Sequence, residues 1–206
     1  MQFEVKNFIM KKILMLFLIS AFAWTLKSQS NDTILMEFTT TGELIGDIED
    51  LEITYYKLID STFKYSVSIP DSLELIDTGS DRVFAGILPT PNNEENSISI
   101  TSFFKNEFSS WDRFVEVFIT GNKPGQQTLF SPEHILYGFS TNDTPFKLGV
   151  RKRLFTISNN KIFNHEFALV ETPTAYLWIQ YGSTPDTYDY NIERFNQFLD
   201  SFEILK

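Results

Sequence analysis

The chain has 206 residues, 42% of them hydrophobic, and 17 Lys and Arg against 27 Asp and Glu give a net charge of -10. That composition suits a folded domain with one core, and its sign disfavours nucleic acid and anionic lipid as partners. With no cysteine and only two histidines, disulfides, thiolate metal sites, iron–sulfur clusters and a Cys nucleophile are excluded.

The N-terminal segment carries Lys11-Lys12 followed by the apolar run Ile13–Trp24, which breaks at Thr25, Lys27 and Ser28. A positive n-region and an apolar stretch shorter than the roughly 20 residues of a spanning helix predict a signal peptide over 1–28. Cleavage is expected near Ser28, with Met10 as the true start, export to the periplasm or extracellular space, and no stable transmembrane anchor. Residues 29–51 read as a polar, acidic N-terminal segment, and residues 52–206 as a single domain.

From Ile53 the period is two. Ile53–Ile59 and Phe63–Ile69 read as strands joined at Asp60-Ser61, and the second stops at Pro70. Leu73–Ile76, Val83–Leu88 and Ser97–Phe104 continue as one antiparallel meander. The period then changes over Ser110–Ile119, where Trp111, Phe114, Val115 and Phe118 fall on one helical stripe, with Ser109 and Asp112 as a capping box and Gly121 as the stop. Four further strands follow: His134–Ser140, Phe146–Ile157, Lys161–Val170 and Ala175–Tyr181. Their turns are Ser158-Asn159-Asn160 and Glu171–Thr174. Thr184-Pro185 then opens a helix carrying Ile192, Phe195, Leu199 and Phe202. Grouped strands with helices placed late predict an α+β fold, an antiparallel β-sheet flanked by helices.

Two stretches resemble the Mog1/PsbP-like superfamily. The opening strand Phe63-Lys64-Tyr65-Ser66-Val67-Ser68-Ile69-Pro70 and the closing Phe198-Leu199-Asp200-Ser201-Phe202 match the ends of its domains, and the element order between them agrees over about residues 52–206. The resemblance implies an α-β-α sandwich and a mostly non-catalytic role. Members serve as assembly or stabilising subunits of photosystem II, as a Ran-binding protein and as exported bacterial proteins, and none of their functional residues transfers to this chain.

Catalytic motifs are absent from the sequence. Neither H-x-x-H nor H-E-x-x-H occurs, so no metal site is expected. Gly138-Phe139-Ser140 lies in a strand and not at a nucleophile elbow, and no glycine-rich turn opens a helix to hold phosphate; no cofactor is expected. Asp47, Glu49, Asp50 and Glu52 lack calcium-loop spacing and read as a solvated edge. The basic cluster Arg151-Lys152-Arg153 places Arg151 and Arg153 on one strand face, as partners of internal carboxylates or as contacts for an acidic ligand or partner. His165 shares the parity of Phe163, Phe167 and Leu169 and reads as a hydrogen-bonded core histidine with a possible ligand role. Arg151, Arg153 and His165 are therefore the candidate ligand or partner contacts, and no catalytic residue is assigned. Two functions remain open: an exported, non-catalytic PsbP-like domain binding a protein partner or envelope component, and an exported hydrolase using a carboxylate pair.

Overall fold

The computed structural model describes residues 35–40, 54–70, 72–91, 96–142 and 145–206, with backbone alone at 35–40 and 54–56. The signal segment, Met10, Ser28 and the acidic run Asp47–Glu52 lie outside the described residues.

Eleven strands and two α-helices are described, with a 3-10 turn at Lys105–Glu107 and a π-helical turn at Glu116–Thr120. In chain order they are β1 Leu35–Thr40, β2 Thr54–Asp60, β3 Tyr65–Ile69, β4 Glu74–Leu75, β5 Val83–Leu88, β6 Asn96–Phe104, α1 Trp111–Val115, β7 Ile135–Phe139, β8 Gly149–Ser158, β9 Lys161–Glu171, β10 Ala175–Ser183, α2 Tyr188–Asp200 and β11 Glu203–Ile204. Every described pairing is antiparallel. The fold is α+β, as the order of strands and helices predicts.

The strands do not form the single continuing meander that period two suggests. β4-β5-β6-β10-β9-β8-β7 make a seven-stranded sheet, while β1-β2-β3-β11 form a separate four-stranded one. β1 falls inside the stretch read as a polar segment, because it supplies the edge partner of β2 from Leu35↔Ile59 to Thr40↔Thr54. β11 is too short to leave a periodic signal, yet it closes the small sheet on β3.

The two family-like stretches meet there. Phe202 stacks on Tyr65 with ring centroids 5.3 Å apart, the Ser201 hydroxyl accepts from the Ser68 N–H at 3.0 Å, and Glu203 takes Lys57 at 3.2 Å. Phe63 and Lys64 belong to the turn and not the strand: the Phe63 N–H bonds the Asp60 carboxylate at 2.8 Å, and Lys64 has φ 60°, a conformation strands do not use.

The faces of the large sheet carry two cores. On one, Phe114 and Phe118 of the first helical segment pack with Phe167, Leu169, Leu154 and Tyr176. On the other, Phe195, Phe198 and Leu199 of α2 pack with Ile98, Ile100, Ala168 and Val170 and with β3 of the small sheet. Alternating side chains of β9 feed both.

Three helix ends differ from expectation. Ser110, not Ser109, caps α1, its hydroxyl accepting from the Arg113 N–H at 3.2 Å; the third position is thus Arg113 and no capping box forms. The helix then widens over Glu116–Thr120, closed by Gly121 N–H to the Glu116 carbonyl at 2.8 Å, a span of five that buries Phe118 and Ile119 together. Gly121 is not left-handed there; it is needed because a Cβ would meet the Glu116 oxygen at 2.7 Å, and Asn122 caps the end through Val117 at 2.9 Å. Finally α2 starts after Thr187, whose side chain makes no capping bond to the helix and instead bonds Asn96 at 2.6 Å. Thr184–Thr187 is a turn closed at 3.3 Å.

Candidate functional site

The hairpin β8–β9 positions all three candidate residues. Asn159 and Asn160 both take positive φ, 52° and 59°, the requirement of a two-residue turn, and Ser158 pairs with Lys161. This register sets Arg153 opposite Glu166 and Leu154 opposite His165. Arg151 and Arg153 therefore point to the α2 face, while His165 points to the α1 face.

Arg151 is buried with Glu166, side chains 6% and 5% exposed, at 3.0 Å. The other Glu166 oxygen accepts from the Tyr188 hydroxyl at 2.7 Å, and Arg151 also donates to Asn196 at 2.9 Å. Burial, then the bond to Glu166, holds the Tyr188 hydroxyl well above its usual range. This network ties α2 to β8 and β9, so Arg151 is occupied internally.

Arg153 differs. Its guanidinium lies on the Tyr188 ring at 3.6 Å and beside Phe155 at 5.1 Å. Its Nε is buried without a hydrogen-bond partner, and the ion pairs among the described residues do not include it. Toward the β8–β9 turn the same face carries Phe155 opposite buried Asn164 and then Ile157 opposite Ile162. Ile135, Ile157 and Ile162 are direct cross-strand neighbours on β7, β8 and β9, and a bulge between Leu136 and Gly138 turns Tyr137 outward. Ile135, Tyr137 and Ile162 are 44%, 65% and 45% exposed. Patches of this kind mark interaction surfaces.

His165 is buried and belongs to a polar chain across the other face. Its Nδ1 meets the Gln180 amide at 3.1 Å, its Nε2 meets the Thr156 hydroxyl at 2.9 Å, and that hydroxyl meets His134 Nδ1 at 2.8 Å. Burial pushes the His165 ring down to about 3 and lowers half-buried His134 as well.

A cleft of about 150 Å³ lies elsewhere, between β2–β3 and β5, with apolar walls including Leu58 and Phe84 and with Asp60, Asp81 and Arg82 at its lining. Arg82 is held by Glu107 at 2.6 Å. No group of three or more His, Asp or Glu suited to a metal ion occurs among the described residues, and no described helix is long and apolar enough to cross a membrane.

Sequence parity foresaw the shared face of Arg151 and Arg153 and a buried, hydrogen-bonded His165 beside Phe163 and Phe167, but not its polar neighbours Gln180, Thr156 and His134. It missed Glu166, whose signal is its pairing opposite Arg153, and the row Ile135, Tyr137 and Ile162, whose signal is cross-strand register.

No protein-family model and no curated protein sequence matches the chain. Solved structures do. A crystal structure from Bacteroides thetaiotaomicron is 10% identical over 73% of this chain at a TM-score of 0.42, the match spanning 48% of that protein. The solution structure of cyanobacterial PsbP (CyanoP) from Synechocystis is 11% identical over 79% of this chain and 98% of its own, TM-score 0.43. LpqN of Mycobacterium tuberculosis, involved in cell envelope biogenesis, is 14% identical over 69% and 83%, TM-score 0.41. Identities and scores this low speak to neither activity nor partner.

Proposed function

We propose that the protein is an exported, non-catalytic domain that binds a protein partner or envelope component through the exposed apolar residues of β7 and β9. The observation that carries this reading is the cross-strand row Ile135–Ile157–Ile162 with exposed Tyr137; further along β8, the Arg153 guanidinium lies on the Tyr188 ring and in no described ion pair. An apolar centre with one directional charge suits a surface that excludes water from a partner while fixing its orientation. The test is a photo-crosslinking residue at Tyr137 in the native host. A discrete adduct that disappears with Ile135→Asp and Ile162→Asp supports the surface. An adduct that persists in both variants, or none above that seen from Ser99 on the opposite face, refutes it.

Among the described residues, the cleft lined by both Asp60 and Asp81 offers the carboxylate-pair hydrolase a place to sit. Asp60 already accepts the Phe63 N–H and so serves the β2–β3 turn, which favours the binding reading.

A further inference from the structure

The polar chain on the α1 face runs through four successive places: Gln180 on β10, His165 on β9, Thr156 on β8 and His134 just before β7. Thr156 and His165 are buried, so every proton in the chain has to be placed. The Gln180 Nε2 donates to His165 Nδ1 at 3.1 Å, which puts the single proton of neutral His165 on Nε2. That N–H donates to the Thr156 oxygen at 2.9 Å. The Thr156 hydroxyl then donates to His134 Nδ1 at 2.8 Å, leaving the His134 proton on Nε2. All donors point from β10 toward β7, and a threonine with one hydroxyl proton can serve only one of its two histidines.

From this geometry we infer that the chain is a proton-triggered relay, in which protonation of His134 reverses the direction of every hydrogen bond as far as the Gln180 amide. A charged His134 carries N–H on both nitrogens, so its Nδ1 must donate to Thr156. The Thr156 hydroxyl, with no room to stay unpaired in a buried site, turns to His165 Nε2. His165 then carries its one proton on Nδ1, and the Gln180 amide turns end for end to accept with its oxygen. The balance is one proton taken from solvent and kept on His134, with His165 neutral throughout. The outward side of Gln180, which lies opposite Ser99 on β6, changes from acceptor to donor.

The surroundings allow His134 to be the trigger. Glu133, next to it in the chain, favours the charged ring, while burial opposes it more strongly. The groups facing the ring from β8 and β9 are Thr156, Phe163 and His165, with ring centroids at 5.6 and 5.5 Å for the last two. His134 in turn disfavours charge on His165. The reversal therefore belongs below the ordinary histidine range, with His134 as the group that titrates.

The experiment is a pH titration of the folded protein by 15N NMR of both imidazoles and of the Gln180 side-chain amide. The expected result is that His165 stays neutral yet moves from mainly Nε2–H to mainly Nδ1–H, by at least about tenfold in tautomer ratio, and that it and Gln180 share the midpoint of His134. In Thr156→Val, which keeps the shape and removes the hydroxyl, His134 should still titrate while His165 and Gln180 no longer follow; Thr156→Ser should restore the coupling. An unchanged His165 tautomer across the His134 titration overturns the relay, and so does coupling that survives in Thr156→Val. If Thr156→Val does not fold, the wild-type and Thr156→Ser tautomer titrations decide.

Discussion

Stability should fall in weak acid through His165, and the size of the fall follows from its burial. In the unfolded chain the ring titrates near 6.5, whereas in the native state it stays neutral down to about 3. Below 6.5 the unfolded state therefore binds a proton that the native state does not, and stability is lost as pH falls through the window from 6.5 toward 3. Each unit is worth about 1.4 kcal/mol, so acidification to about pH 5 should remove about 2 kcal/mol. His134 adds loss of the same sign, since its value is also lowered, and the comparison must isolate His165. Urea unfolding of wild type and His165→Gln at about pH 7.5 and about pH 5 does so, because the variant retains every other titrating group. The wild type should lose about 2 kcal/mol more than the variant between those conditions, with unchanged denaturant slopes. Parallel losses in the two proteins would refute the burial argument, as would a wild type that resists acid better than the variant.

Phe114→Ala should cost about 3 to 5 kcal/mol, since Phe114 is 0% exposed and touches Phe108, Phe118 and Tyr176 with ring centroids at 5.0, 4.8 and 5.2 Å; the urea midpoint checks it, with exposed Phe104→Ala as the small-effect comparison. Gly149→Ala should prevent stable folding, because its Cβ would collide with the Leu169 carbonyl oxygen, while Gly138→Ala, with nothing within 4 Å, should melt within a few degrees of wild type. Glu166→Gln should cost about 3 kcal/mol by leaving Arg151 buried without its counter-charge. Adding Arg151→Met should recover part of that loss in chemical denaturation, because the uncompensated charge is then gone.

Period two and parity made much of the fold legible. Val83–Leu88 coincides with β5, and the Trp111, Phe114, Phe118 stripe predicted a helix face that is a core. What periodicity conceals is which surface covers a strand's buried face: period two runs β2 and β3 into one meander with β5 and β6, whereas they belong to a separate sheet that shares a core with α2. The site was harder for a reason of one residue. Reading Ser158-Asn159-Asn160 as a three-residue turn sets Ile157 against Lys161 and Arg153 against His165; the actual two-residue turn sets Ser158 against Lys161 and sends Arg153 and His165 to opposite faces. The signal for the shorter turn was the Asn-Asn pair itself, since asparagine tolerates the positive φ that both positions need. Tyr137 was hidden for a related reason. Its exposure comes from a bulge, which breaks the alternation that strand reading relies on.

The most direct test of the binding reading is complementation of a deletion strain with two folded variants of the full chain. One removes the surface, Ile135→Asp with Ile162→Asp and Arg153→Gln; the other removes the cleft acids, Asp60→Asn with Asp81→Asn. Both are first checked by circular dichroism and thermal melting. The surface variant should behave like the deletion while the cleft variant restores the wild-type phenotype. Rescue by the surface variant together with failure of the cleft variant would contradict the account and turn the protein into a carboxylate-dependent enzyme.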